Sequence, residues 1–169
     1  MTFLICDDVN EAEFYKLERL REKVPNLKVN CFVMGKDAGQ YLKQDWIEVG
    51  VHGWEHTYPP ECERANQRDY ILKGLEALRP YLPEKFGFRA PGFQMTALTY
   101  PILRELGFRF IAHQFRVQPL KGGFIQGDII NTHIKGGFIQ GDIINTHIYD
   151  KSLEGIENGE FSFISGGCD

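Results

Sequence analysis

His52 and His56 sit in Val51-His52-Gly53-Trp54-Glu55-His56-Thr57, close enough in the chain to share one divalent cation. On a helix this spacing would place both imidazoles on one face. Gly53 inside the pair and Pro59-Pro60 beyond it favour instead a strand end running into a turn. The glutamate adjoins the second histidine, so the segment is not the His-Glu-x-x-His of a zinc peptidase. Taken alone, the pair is better explained as two surface-loop histidines, since the chain contains five histidines. Asp7-Asp8 alters that balance. Adjacent carboxylates repel, and a cation held between one of them and the two imidazoles would account for the pair. One carboxylate and two imidazoles leave an open position for water, and the second carboxylate can take a proton from that water. The competing explanation is an acidic turn at a helix N-terminus, where the dipole favours anions.

Three further groups can do chemistry. Arg89, in Phe88-Arg89-Ala90-Pro91-Gly92-Phe93, is either a surface arginine at a Pro-Gly turn or a group that orients a carboxylate. The N–H of Gly92, unshielded by a side chain, can serve an oxyanion. His133 and His147 each follow Asp-Ile-Ile-Asn-Thr, and read either as strand-end histidines without a task or as a general acid.

These residues fall at the downstream ends of successive apolar segments, where α/β proteins build sites. Residues 2–6 form a short apolar run, expected as a buried strand. Asn10 with Glu13 has the capping-box spacing, and Phe14, Leu17 and Leu20 give the following helix one apolar face. Residues 27–33 alternate as a strand, 38–42 suggest a short helix, and 47–51 a third strand. A helix over 66–82 carries Tyr70, Leu75, Leu78 and Leu82 on one face, followed by a short strand at 86–88. Thr96 is positioned to cap a helix running to Leu106 and stopped by Gly107, with a strand over 108–112 after it. A helix from Lys151 and a strand at 161–164 complete the chain. The alternation predicts parallel β/α architecture without separating an open sheet from a barrel.

Residues 121–134 recur letter for letter as 135–148. A perfect tandem pair differs from solenoid repeats, which diverge and need three or more copies. Only one copy can fill a given place in a sheet. The other must bulge as a loop or add an edge strand. His147 is the favoured late histidine, because its strand must feed the closing helix without slack.

Composition bounds the function. The 169 residues suit one domain, 1–169, and the hydrophobic content of 43% is that of a globular protein. A net charge of -4 without a basic patch argues against nucleic acid, and the apolar stretches are too short to span a bilayer. The first residues lack a basic n-region and a cleavage site, which predicts a cytoplasmic protein. The four cysteines form no Cys-x-x-Cys pair, and Cys6 and Cys31 in apolar runs are expected in the core.

In this order the motifs resemble the polysaccharide deacetylase family, carbohydrate esterase family four. Ile5-Cys6-Asp7-Asp8 is similar to that family's Thr-Phe-Asp-Asp, and Asn30-Cys31-Phe32-Val33 to its Thr-Phe-Phe-Val strand. His52-Gly53-Trp54-Glu55-His56 resembles His-Ser/Thr-x-x-His, Arg89-Ala90-Pro91 resembles Arg-x-Pro, and Thr146-His147 or Thr132-His133 its Leu-His. The resemblance implies a distorted (β/α) barrel of about seven parallel strands. It implies a divalent metal, usually zinc, held by Asp8, His52 and His56. Asp7 would be the general base, the late histidine the acid for the leaving amine, and the backbone N–H after Pro91 an oxyanion donor. The implied reaction is removal of an acyl group, typically acetyl, from an N-acylated small-molecule or oligosaccharide substrate. Gly53 stands where a hydroxyl residue normally steadies the metal loop, and Gly92 where an aromatic residue is frequent. No Asp-Trp motif between Phe110 and Lys121 supplies the usual partner of Arg89. A catalytically inactive binding domain of this fold, or a hydrolase of a non-sugar amide or formamido sugar, are the alternative functions.

Overall fold

The alternation of residues 27–33 produces a strand, β2 (Leu27–Val33), at the centre of a sheet. The computed structural model describes residues 2–56, 64–112, 117–120, 139–140 and 143–147. Around β2 lie β1 (Thr2–Asp7), β3 (Ile47–Val51), β4 (Gly87–Phe88), β5 (Phe110–Ala112), β6 (Val117–Pro119), β7 (Ile139–Gln140) and β8 (Ile143–His147). Their order is β6-β5-β4-β3-β2-β1-β8-β7. Parallel pairings join β8, β1, β2, β3, β4 and β5. The edge strands β6 and β7 pair antiparallel.

The parallel β/α architecture is therefore present: among the described residues six strands are joined by parallel pairings, and the edge strands do not pair with each other. The cause of the antiparallel edges is connection length. Residues 113–116 alone join β5 to β6, and residues 141–142 join β7 to β8. A parallel neighbour needs a crossover of about a dozen residues, so these strands can only turn back. Both β7 and β8 belong to the second repeat copy, so this copy supplies the strand beside β1 and its own edge strand. The first copy, the Lys151 helix, the 161–164 strand, Cys62 and Cys168 lie outside the described residues.

Helices cover one face of the sheet. In α1 (Glu11–Lys23), Asn10 Oδ1 accepts from the Glu13 N–H at 3.1 Å, so the cap forms where its spacing predicts. Phe14, Leu17 and Leu20 are buried against Cys6, Val29, Cys31 and Val33. The second helix, α2 (Arg64–Leu78), contributes Ile71, Leu75 and Leu78. It gives way to one 3-10 turn, Arg79–Tyr81, because Pro80 has no N–H to continue the ladder. Burial of each such side chain stabilises by about 1.5–3 kcal/mol.

The expected helix over 38–42 is instead two single 3-10 turns, Gly35–Asp37 and Gln40–Leu42, separated by extended backbone at Ala38 and Gly39. Thr96 does not cap α3 (Thr99–Glu105), whose N-cap is Leu98. Thr96 acts one turn earlier, accepting from the Leu98 N–H at 3.3 Å and giving its own N–H to Thr99 Oγ1 at 3.0 Å. Gly107, at φ 88, ends the turn after α3.

Cys6 and Cys31 are paired across β1 and β2, fully buried and reduced, with sulfurs 3.7 Å apart. Burial pushes the Cys6 thiol well above its usual range, helped by Cys31. Thiol alkylation read by peptide mass mapping is expected to leave both unlabelled in the folded protein and label both in denaturant. Fast labelling of either in native buffer would contradict this packing.

Candidate metal centre

Strand phase decides which side chains meet. On β1 and β2, Cys6, Val29, Cys31 and Val33 enter the helix-covered core, while Ile5 and Phe32 pack together on the opposite face. Side chains alternate along a strand, so Asp7 shares the side of Ile5. By the same phase Arg89 follows the core residue Phe88, and His52 follows the core residue Val51. Three chemically active residues thus reach one face at the downstream ends of neighbouring parallel strands.

Asp8 sits just beyond β1 at φ 56, a left-handed conformation that aspartate tolerates better than most residues. The kink separates the adjacent carboxylates. Asp7 is 3% exposed, and its Oδ2 accepts from Arg89 Nε at 2.5 Å. Asp8 turns to the histidines, with Oδ1 3.2 Å from His52 Nε2 and 3.6 Å from His56 Nε2. Burial raises the Asp8 carboxyl, but when the imidazoles are protonated the hydrogen bond and charge of His52, joined by the charge of His56, bring it below its usual value.

Arg89 is wholly buried, which excludes the surface-turn reading. Its guanidinium lies 4.5 Å from the centre of the Phe93 ring and 5.9 Å from that of Phe32. Burial lowers its pKa and the Asp7 carboxylate opposes the change. Arg89 has a partner far upstream in the chain, Asp7. Sequence reasoning missed it because a contact between residues 82 positions apart leaves no local pattern. Ala90 and Pro91 are buried, and Gly92 has φ 56 within the 3-10 turn Pro91–Phe93.

The donor set fits a divalent cation. Ligand atoms of Asp8, His52 and His56 lie within 4.8 Å of one another. His52 Nδ1 is 2.7 Å from the Arg89 carbonyl oxygen, which can only accept, so Nδ1 carries the proton. In the neutral ring Nε2 then presents a lone pair to a carboxylate oxygen. Two acceptors so close repel unless a positive charge lies between them. His52 is 1% exposed, whereas the His56 side chain is 40% exposed, so one imidazole is fixed by packing and the other reaches in from the rim. His147 lies in β8 with its backbone in register with Asp7. His133 lies outside the described residues. A cavity of about 630 Å³ is lined by Asn10, Glu11, Lys36, Asp37, Gln40 and Tyr41 among others, and by none of Asp7, Asp8, His52, His56 or Arg89. Tyr41 is anchored there, its hydroxyl donating to the Asp37 carbonyl at 2.6 Å.

The glycine between the histidines has a structural cause. Gly53 has φ 87, and a Cβ there would lie 2.4 Å from the Tyr70 hydroxyl. The same loop is tied to the exit of β2, where the N–H groups of Gly35 and Lys36 donate to the carbonyls of Gly53 and Trp54 at 2.8 and 3.0 Å.

No protein-family model matches the chain, and no curated protein matches it in sequence. Solved structures match its fold. A family 4 carbohydrate esterase from Streptomyces lividans, in complex with acetate, has a TM-score of 0.65 at 15% identity over 92% of this chain and 83% of that one. A family 4 acetyl xylan esterase from Clostridium thermocellum, in complex with a cobalt ion, has a TM-score of 0.63 at 13% identity over 96% and 84%. A family 4 pseudoenzyme from Bacillus anthracis has a TM-score of 0.66 at 14% identity over 96% and 59%. Such identities establish a shared fold, that of the family the motifs resemble.

The Asp7–Arg89 pair carries a stability prediction. Arg89→Leu strands a buried carboxylate and is expected to cost about 3–5 kcal/mol in urea unfolding. Asp7→Asn with Arg89→Met is expected to cost less than Arg89→Leu alone. A double variant no more stable than the single one would show that the pair is not coupled.

Proposed function

We propose that the chain, acting as one domain, is a divalent-metal-dependent hydrolase, with zinc as its metal, that removes an acetyl group from an N-acetylated sugar. One observation carries this reading: Asp8, His52 and His56 converge beside a carboxylate, Asp7, that is held by a buried arginine. Bound by these three residues, the cation would polarise the amide carbonyl and acidify the attacking water. Asp7 takes the proton from that water at Oδ1, while Oδ2 stays engaged by Arg89. Arg89 holds the carboxylate in place and supplies its positive partner. The N–H of Gly92 donates to the oxygen that gains charge during attack. His147 donates a proton to the departing amine, a role supported by its place opposite Asp7 in the sheet register. The fold shared with family 4 carbohydrate esterases supports the same reaction class and a small-molecule or oligosaccharide substrate.

Acetate release from an N-acetylated chitooligosaccharide tests the proposal. Chelation is expected to abolish release, and added zinc or cobalt to restore it. Undiminished release after exhaustive chelation would refute metal dependence. Asp7→Asn and His147→Ala are each expected to lower kcat/KM by about 10²–10⁴-fold, as for loss of a general base or acid. A loss in His133→Ala with none in His147→Ala would reassign the acid to the first repeat copy.

A further inference from the structure

We propose that the Tyr70 hydroxyl is the positioning group of the His56 ligand, replacing from helix α2 the hydroxyl that position 53 lacks. The proposal rests on the metal-dependent reading above and adds to it a residue outside the motifs.

Three observations carry it. The first is the exposure of His56, which has far less packing to hold it than His52. An imidazole at the rim stays aimed only if the backbone before it is fixed. The second is how that backbone is fixed. The Gly53 and Trp54 carbonyls accept from Gly35 and Lys36. The Trp54 ring lies 3.8 Å beneath the Lys73 ammonium. The remaining carbonyl before His56, that of Glu55, accepts from the Tyr70 hydroxyl. Each residue between the two histidines is therefore anchored, and the last anchor comes from α2. The third observation is the room made for the tyrosine. A Cβ at Gly53 would collide with the Tyr70 hydroxyl, and a Cβ at Gly74, one turn along α2, would lie 2.4 Å from the Gly53 carbonyl oxygen. Glycines at both positions let the helix approach the metal loop closely enough for a long side chain to reach over it. A hydroxyl residue at position 53 and Tyr70 in its present place are mutually exclusive, which explains the departure from His-Ser/Thr-x-x-His.

The Tyr70–Glu55 bond lies at the exposed rim, where water can replace it. Its loss should therefore barely change global stability and act instead on the ligand it aims. Cobalt(II) titration of the metal-free protein, followed by visible absorption, separates these effects. Tyr70→Phe keeps the ring and is expected to weaken cobalt binding by about tenfold, the lower end of the effect of groups that orient metal ligands. The melting temperature of the metal-free protein is expected to move by less than about 2 °C. In a His56→Ala background, Tyr70→Phe is expected to change cobalt affinity by less than about twofold, because its target is gone. Cobalt binding by Tyr70→Phe as tight as the wild type would overturn the proposal. So would a tenfold loss that persists without His56. A wild-type protein that binds neither cobalt nor zinc would overturn the metal reading itself, and this inference with it. An unaffected Tyr70→Phe would leave the metal reading standing.

Discussion

The buried contact between Asp7 and Arg89 organises this molecule. A wholly buried guanidinium is tolerable only with its charge answered, and the answering carboxylate stands at the end of β1. The pair thereby ties the ends of β1 and β4, which are not neighbours in the sheet. The arginine backbone has a second task, because its carbonyl sets the His52 tautomer. His52 Nε2 faces Asp8, and Asp8 is bonded through the peptide to Asp7. Asp7, Arg89, His52 and Asp8 therefore form a closed circuit in which each member orients the next. Such a circuit leaves little freedom for the side chains that converge there.

The circuit closes because of strand phase. Parallel neighbours end on the same side of the sheet: β1 ends with Asp7, and β3 and β4 are followed by His52 and Arg89, each in the phase that points away from the helix-covered core. A shift of one residue on any of them would drive an ionisable group into the apolar layer packed by Phe14, Leu17 and Leu75. The core thus enforces the site. The same apolar layer that supplies most of the stabilisation also specifies which face carries the chemistry.

Backbone conformation does the rest at the rim. Asp8, Gly53, Gly92 and Phe93 all have positive φ, and all border the site. For the non-glycine residues this costs on the order of 1–3 kcal/mol each, a strain typical of functional sites. At Asp8 the result is visible: the kink sends two adjacent carboxylates to different partners and relieves the repulsion that their adjacency implies.

Much of this was legible in the order of the residues. The alternation at 27–33, the apolar run at 47–51, the apolar face of α1 and its Asn10 cap are local patterns, and strands and helix form at those places. The candidate ligands were legible too, because Asp7-Asp8, His52 and Arg89 each follow an apolar run that had to be a strand, and His56 lies in the turn just after His52. The sequence also carried the oddity at position 53 without its reason. Tertiary structure alone decided the partner of Arg89, the buried state of that arginine, the antiparallel edges, and the glycine contacts that bring Tyr70 over the loop between the two histidines. Periodicity reports on neighbours within a few residues, because those share a turn or a pleat. Contacts between positions far apart in the chain form only after the sheet has chosen its order and the helices their depth, and no local spacing records that choice.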